Sequence, residues 1–465
     1  MNGGRTAKVV GLAATAALGG LLFGYDSSVI NGAVSAIGEE FSLGSAALGF
    51  TVASALLGAA AGAWTTGSIA ERFGRPRTMV MAATLFTASA VLTGLSQSIG
   101  FLIVWRVVGG FAVGMASVIA PMYIAEIAPA DIRGRLGSLQ QLAIVSGIFA
   151  SQLVNLGLVN LAGGAAGNDL WGLSAWRWML VVEAVPAIAY GLLALRLPES
   201  PRHLVAEGRD AEARDVLALF SDDPGAELTR IEESLAGDAK PRFADLRGPV
   251  LGLAAIVWVG IVLSMLQQLT GINVVFYYST ALWEAVGVDT SQALLISVVT
   301  AAVNIGGTVL AIAIIDRVGR RVLLLAGSAG MTVALAVTAW AFSTATVDAS
   351  GAAALDATHG LVAFFSANTF VFFFAFSWGP VVWVLLGEMF PNRLRAAALA
   401  VAAAVQWLAN FAVTQTFPWL AENLGLAVSY SLFAAFSAVS LWFVLRYVAE
   451  TKGRALEDMG SGVAA

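Results

Sequence analysis

Two ionisable side chains stand deep inside apolar runs, and they are the first candidates for chemistry. Asp26 lies in GGLLFGYDSSVING and Arg106 in LIVWRVVGG. If both runs cross a bilayer, Asp26 sits about six residues, roughly 9 Å, from the outer end of its helix, and Arg106 about seven residues, roughly 10 Å, from the outer end of its own. A lone charge in hydrocarbon costs several kcal/mol, so each needs a partner or a water-filled cavity. Their equal depth makes them a candidate pair. A carboxylate that alternates between an ion pair and its protonated form can carry a proton; the competing reading is a fixed structural pair. Glu183 is a further buried acid, either a second member of this network or a residue facing the membrane interface.

A second group of residues is built for hydrogen bonding to something neutral. MLQQLTGINVVFYYS carries Gln267, Gln268 and Asn273 in one apolar run, and Gln141, Asn304, Gln406 and Asn410 lie in others. Trp378 and Trp383 supply flat apolar faces nearby. Amides offer paired donors and acceptors, and an indole can stack on the C–H face of a sugar ring. An anion would call for cations and a lipophilic cation for acids, so this mixture suits an uncharged, hydroxylated ligand. For any single amide the alternative is hydrogen bonding between packed helices. Gly24, Gly32, Gly110 and Gly379 read as sites of close packing or bending.

What positions these residues is a membrane bundle. Apolar residues make up 58% of the 465 and charged ones 12%, with a mean hydropathy of +0.81. A soluble domain carries roughly 25% charged residues. Zero cysteines exclude disulfides, thiolate metal sites and cysteine nucleophiles, and two histidines, His203 and His359, suggest no metal site. No cofactor, no nucleic-acid partner and no enzyme activity are expected, since no basic patch and no acid–base or metal set accompanies the amides. The first apolar run reads as a retained transmembrane helix and not a cleaved leader.

About 20 apolar residues cross the hydrocarbon. On that measure the spans fall near 9–32, 46–70, 78–96, 99–124, 136–160 and 177–197, then 250–277, 290–315, 321–345, 360–386, 396–418 and 424–447. The reading is all-α: a six-helix bundle over 1–197, a polar insert over 198–249, a second bundle over 250–448 and a tail over 449–465. Of the 25 Lys and Arg, all but Arg106 and Arg177 fall in the termini, the insert and alternate loops of one face. The excess of basic residues marks the cytoplasmic side, so both termini and the insert are expected there, in a bacterial cytoplasmic membrane. The insert can form three or four short amphipathic helices, for example 202–220 and 226–236, and reads as a cytoplasmic latch.

The halves echo each other. ERFGRP at 71–76 returns as DRVGRR at 316–321, EIAPADIR at 126–133 as EMFPNRLR at 388–395, and PESPR at 198–202 more faintly as AETKG at 449–453. Repeated six-helix halves suit a carrier that rocks about a central site. The repeated acids and arginines can pair when the cytoplasmic helix ends are close. Glu71, Arg72, Arg75, Glu126 and Arg133 in the first half, with Asp316, Arg317, Arg320, Glu388 and Arg395 in the second, are the candidate gate. The alternative is a solvated topology signal at the lipid headgroups.

QQLTGINVVFYYS, PMYIAEIAPADIRGRLGS, PESPR, DRVGRR, EMFPNRLR and the weaker terminal ETKG resemble the signatures of the sugar porter branch of the major facilitator superfamily. Bacterial xylose and galactose/glucose proton symporters and animal glucose facilitators belong to it. The resemblance implies a major facilitator fold with a cytoplasmic helical domain, Asp26 as the proton-coupling carboxylate and Arg106 as its partner. It implies sugar contacts from Gln141, Gln267, Gln268, Asn273, Asn304, Trp383 and Gln406, with Asn410 as a weaker candidate. It also implies a gate containing Glu126, Arg133, Glu388, Arg395, Asp316 and Arg320. Facilitators of this family generally lack the acid at position 26, so its presence favours symport. Glu71 stands where an aspartate is common, Pro76 replaces an arginine, Ala449 replaces a proline, and Ile148 stands where xylose carriers place a second glutamine. The last departure favours glucose over xylose.

The expectation is therefore a monomeric carrier that brings a proton and a neutral monosaccharide, glucose or a similar hexose, into the cell. A polyol, inositol or pentose symporter and a sugar uniporter are the alternatives within transport. A membrane sugar sensor is the alternative of another class, and it would call for a longer signalling extension than the 19 residues after Arg446.

Overall fold

The computed structural model describes residues 3–128, 133–219, 221, 223–237, 246–347, 353–390 and 392–452. Pro129 and Pro391 lie outside them, as do the side chains of Arg133 and Arg395. Among the described residues, ten helical segments are long and apolar enough to cross a membrane. One of them, within Asn392–Tyr447, would extend about 80 Å if straight, far more than a bilayer's ~30 Å. It breaks at Gly425, whose φ of 81° leaves the helical region, and supplies two spans. Arg75–Gly94, a 20-residue helix with basic residues in its first turn, completes the twelve.

The spans are Gly3–Val29 with a 3-10 extension Ile30–Gly32, Ser45–Phe73, Arg75–Gly94, Ile99–Ile127, Arg133–Leu161 and Ala175–Ala194 in the first half. The second half has Ala255–Glu284, Thr290–Val318, Arg320–Ser343, Ala357–Met389 and the two parts of Asn392–Tyr447. The seventh span begins at 255 and not at 250, because Leu251 and Gly252 adopt positive φ (47° and 86°) in a tight turn.

Three spans are interrupted where polar residues cluster. The sixth breaks at Glu183, between Ala175–Val182 and Ala184–Ala194. Pro186, three residues on, has no N–H to complete the helical ladder there. The seventh breaks at Thr270–Gly271, with Gly271 at φ 83°. The tenth breaks at Ser377, where φ −127° and ψ −88° separate Ala357–Phe376 from Trp378–Met389.

In the insert, the described residues form Pro201–Ala206, Asp210–Leu217 and Pro224–Gly237. The expected helix over 202–220 is thus split. Gly208, at φ 74°, ends its first part, as glycine commonly does just past a helix C-terminus.

By internal contacts the chain forms two compact units. One comprises Met1–Ser27, Leu57–Ala150 and Leu180–Lys240; the other comprises Ser28–Leu56, Ser151–Met179 and Pro241–Ala465. Close backbone packing holds the first unit. A methyl on Gly24 would overlap the carbonyl of Ile144, and one on Gly147 would overlap that of Leu21, so the first and fifth spans meet glycine to backbone.

Candidate functional site

In the first unit, Asp26, Arg106 and Glu183 form one buried cluster, at 7%, 5% and 1% exposure. The Asp26 and Glu183 carboxyl groups lie within hydrogen-bonding reach of each other, and Arg106 lies within charge-interaction reach of both. A hydrogen bond between two carboxyl groups needs a proton on one of them. The cluster is therefore neutral with one proton bound and carries a charge of −1 without it. Gly109, one turn beyond Arg106, keeps the approach open: a methyl there would sit 3.4 Å from Asp26 Oδ1 and against the Ser89 hydroxyl. Of the two readings of Glu183, the structure supports membership of the network.

In the second unit, the amides of the seventh span are linked in series. Gln267 Nε2 donates to the Trp378 carbonyl at 2.7 Å, Gln268 Nε2 donates to Gln267 Oε1 at 3.3 Å, and Asn273 Nδ2 donates to Gln268 Oε1. An unbroken helix would not turn residues five apart toward each other. The left-handed Gly271 between them redirects Asn273 back onto Gln268. Asn304 is buried in the eighth span. Asn410 is buried too, with its Oδ1 accepting from Thr414 Oγ1 at 3.1 Å. Gln406 is half-buried, and its Oε1 meets no donor among the described residues. Trp383 presents an indole that is 42% exposed. Trp378 does not: it is fully buried, with its N–H on Ser328 Oγ at 2.9 Å, so it supports the chain and offers no free face. Gln141 is half-buried in the fifth span, in the first unit.

The second unit also holds a polar cluster that the sequence reading did not single out. Asn31 is buried at the far end of the first span. Its Nδ2 donates to Gln152 Oε1 at 3.0 Å and to Ser297 Oγ at 3.1 Å, while its Oδ1 accepts the Thr280 backbone N–H at 2.9 Å. Gln152 donates in turn to the Ser28 carbonyl at 3.1 Å and to its hydroxyl. Ser35 and Thr290 both donate to the Glu284 carboxylate. Residues 28–56, from the first half, are thereby bound to the seventh and eighth spans. The signal was present in the sequence: Ser28, Asn31 and Ser35 recur at helical spacing on one face of an otherwise apolar run.

At the opposite helix ends, two copies of one ion-pair arrangement appear, one per half. Arg75 grips Glu126 through Nε at 2.9 Å and Nη2 at 2.7 Å, and its backbone N–H donates to Glu199 at 2.8 Å. Arg320 grips Glu388 through Nε at 3.1 Å and Nη2 at 2.8 Å, pairs with Asp316 at 2.9 Å, and its backbone N–H donates to Glu450 at 2.9 Å. Both arginines donate a further bond to the carbonyl five residues back, Ala70 and Ile315. Gly74 (φ 88°) and Gly319 (φ 102°) make room for the respective glutamates. Glu71 and Arg72 are exposed, with Arg72 over the Phe73 ring, and Arg317 offers its carbonyl to Lys452. Glu199 and Glu450 were missed as members, although the PESPR/AETKG echo marked their positions.

Burial would raise the Glu450 carboxyl, but donors from Lys452, Arg320, Arg321 and Thr451 outweigh it and hold it below its usual 4.5. Its stabilising contribution is therefore present above that pH and lost as the pH falls through and below it. In detergent, the gap in melting temperature between the parent and Glu450→Gln should be widest at neutral pH and narrow as the pH falls below 4.5; a gap independent of pH would contradict this.

The sugar (and other) transporter family model matches residues 12–462. The chain belongs to that family. Among its members, a glucose transport protein of Synechocystis sp. is 51% identical over 450 residues, covering 96% of each chain. The D-xylose-proton symporter of Escherichia coli (strain K12) is 36% identical, covering 96% of this chain and 93% of that one. The solved structure of the major facilitator proton:xylose symporter XylE bound to 6-bromo-6-deoxy-D-glucose aligns with a TM-score of 0.80 at 34% identity, covering 99% of this chain and 100% of the other. The family fold is that of the major facilitator superfamily, and the chain is a multi-pass bacterial membrane protein.

Proposed function

We propose that this family member is a proton-coupled importer of a neutral monosaccharide, glucose or a similar hexose. The observation that carries the coupling is the buried Asp26–Glu183–Arg106 cluster, whose charge changes by one with a single proton. Outside the membrane's reach of water such a charge is costly, so proton occupancy sets which arrangement of the halves is favoured. The amide series Gln267, Gln268 and Asn273, with Asn304, Gln406, Asn410 and Trp383, supplies donors, acceptors and an apolar face to the sugar. The 51% identity to a glucose transport protein supports a hexose; the 36% identity to a D-xylose-proton symporter keeps a pentose as the second reading.

In this reading the Asn31 cluster closes the outer end while sugar leaves toward the cytoplasm. The Arg75–Glu126–Glu199 and Arg320–Glu388–Glu450 clusters brace the cytoplasmic ends in the alternate phase. The distribution of arginine supports a cytoplasmic position for the termini and the insert, and a monomer is the form proposed to carry out transport. The deciding experiment is uptake of labelled glucose into proteoliposomes, with and without an imposed inward proton gradient, against xylose, galactose and inositol as competitors. Uptake is expected to exceed equilibration only with the gradient, and glucose or a close epimer to compete best. A gradient without effect would make the protein a uniporter.

A further inference from the structure

The break in the seventh span falls between two amides assigned to sugar, and what steadies it is a hydrocarbon ring. Gly271 takes φ 83° and ψ 13°. Its N–H donates to the Gln268 carbonyl at 3.0 Å, and its own carbonyl accepts from Val274 at 3.1 Å as the second part of the span begins. Glycine reaches positive and negative φ about equally well, so Gly271 alone does not fix this angle. A methyl on Gly271 would lie 2.6 Å from Phe433 Cγ and Cδ2 and 2.8 Å from its Cε2. The phenyl ring thus fills the place a side chain would take. Phe433 comes from the last span and is buried.

Phe433 is itself held. It stacks on Phe417 with centroids 6.2 Å apart and planes at 24°, and Tyr430 meets it edge-on at 6.0 Å. Phe417 lies against Tyr278 at 5.5 Å, Tyr430 against Phe342 at 5.2 Å, and Phe342 against Trp283 at 6.4 Å. Tyr278 and Trp283 both belong to Ile272–Glu284, the second part of the seventh span. A continuous arc of rings therefore starts and ends on that helix, and its middle rests on the glycine just ahead of the first turn. The Tyr278 hydroxyl, donating to the Thr414 carbonyl at 2.9 Å, ties the arc to the eleventh span. Ring pairs of this kind have preferred geometries, so the arc fixes direction as well as burying apolar surface.

We propose that Phe433 is a positioning residue for the sugar site: by filling the place beside Gly271, it sets the angle at which the seventh span resumes and so holds Asn273 on Gln268. The proposal rests on the assignment of these amides to sugar and adds a residue that acts through them. Asn273 stands two residues past the glycine, so a rotation at Gly271 swings its side chain directly. A binding constellation works only within about 0.5 Å of its productive geometry. With a smaller or more pliant side chain at 433, Gly271 turns more freely and the Asn273–Gln268 hydrogen bond is made only part of the time. Sugar must then restore that order when it binds.

Equilibrium binding of labelled glucose and of labelled xylose to the purified full chain in detergent tests this as a double-mutant cycle with Asn273→Ala. Phe433→Leu should raise the Kd of the tighter-binding sugar about tenfold in the parent but less than twofold in the Asn273→Ala background, where the group it positions is already gone. Phe433→Met, an unbranched apolar replacement that adapts to irregular space, gives the same comparison should leucine prevent folding. A Kd within twofold of the parent in the folded variant would overturn the proposal. Equal losses in both backgrounds would overturn it too, since that is what packing alone produces. Failure of the amide assignment looks different: Asn273→Ala would itself bind sugar as tightly as the parent, or the parent would bind neither sugar, and either result removes this proposal along with that reading.

Discussion

With asparagine at position 26, gradient-driven accumulation of sugar is expected to disappear while counterflow persists. For one proton per sugar, each unit of pH difference supports about tenfold accumulation, since 1.4 kcal/mol corresponds to a factor of ten. The parent should approach that limit, and Asp26→Asn should stop at equal concentrations inside and out. The amide can hydrogen bond to Glu183 without borrowing a proton, so the cluster stays neutral with Arg106 against a single carboxylate. Asp26 and Glu183 lie in one buried cluster and share Arg106, so a change at either acid alters the same charge balance. Glu183→Gln is therefore expected to blunt accumulation as well. Accumulation above equilibrium in Asp26→Asn would remove the cluster from the coupling. Arg106→Met is the harsher change: it strands two acids without their cation, and breaking a buried pair in that way costs about 3–5 kcal/mol.

The second large effect is expected at Asn31. Leucine in its place leaves the Thr280 N–H and Gln152 Oε1 without their Asn31 partner, while Ser297 Oγ keeps only its bond to the Ala293 carbonyl. At about 1–3 kcal/mol for each stranded group, the loss is comparable to the ~5.5 kcal/mol that carries a two-state equilibrium from 1:99 to 99:1. The chain contains no cysteine, so a single one introduced at the buried Ser28 can be labelled without background. Labelling by a membrane-impermeant maleimide should be slow in Ser28→Cys alone and about a hundredfold faster with Asn31→Leu. Equal rates would mean that the cluster does not hold that end shut.

Much of this architecture is legible in the sequence, for physical reasons that also explain what is not. Bilayer thickness dictates the length of apolar runs, and the twelve spans follow from it. The arginine alternation and the halves' echoes placed Arg75, Glu126, Arg320 and Glu388 at corresponding helix ends, and the structure pairs them. Depth along the helix brought Asp26 and Arg106 to one level. Hydropathy says nothing, however, about which polar residue meets which. Glu183 has two readings in sequence because the helix break beside Pro186 interrupts the helical wheel that would fix its direction. Asn31 and Gln152 were passed over because a single amide in an apolar run is ordinary helix–helix glue. The Gln268–Asn273 contact depends on one left-handed glycine that no helical wheel contains. The 202–220 helix of the insert failed at Gly208 for the same kind of reason.

Glu450 takes a backbone N–H from Arg321 at 3.0 Å; at the matching place beside Glu199 stands Pro76, which has none to give. The duplicated clusters thus differ by one backbone donor. If they brace the cytoplasmic ends as proposed, the amino-terminal one, with that donor missing, is expected to let go of its glutamate first.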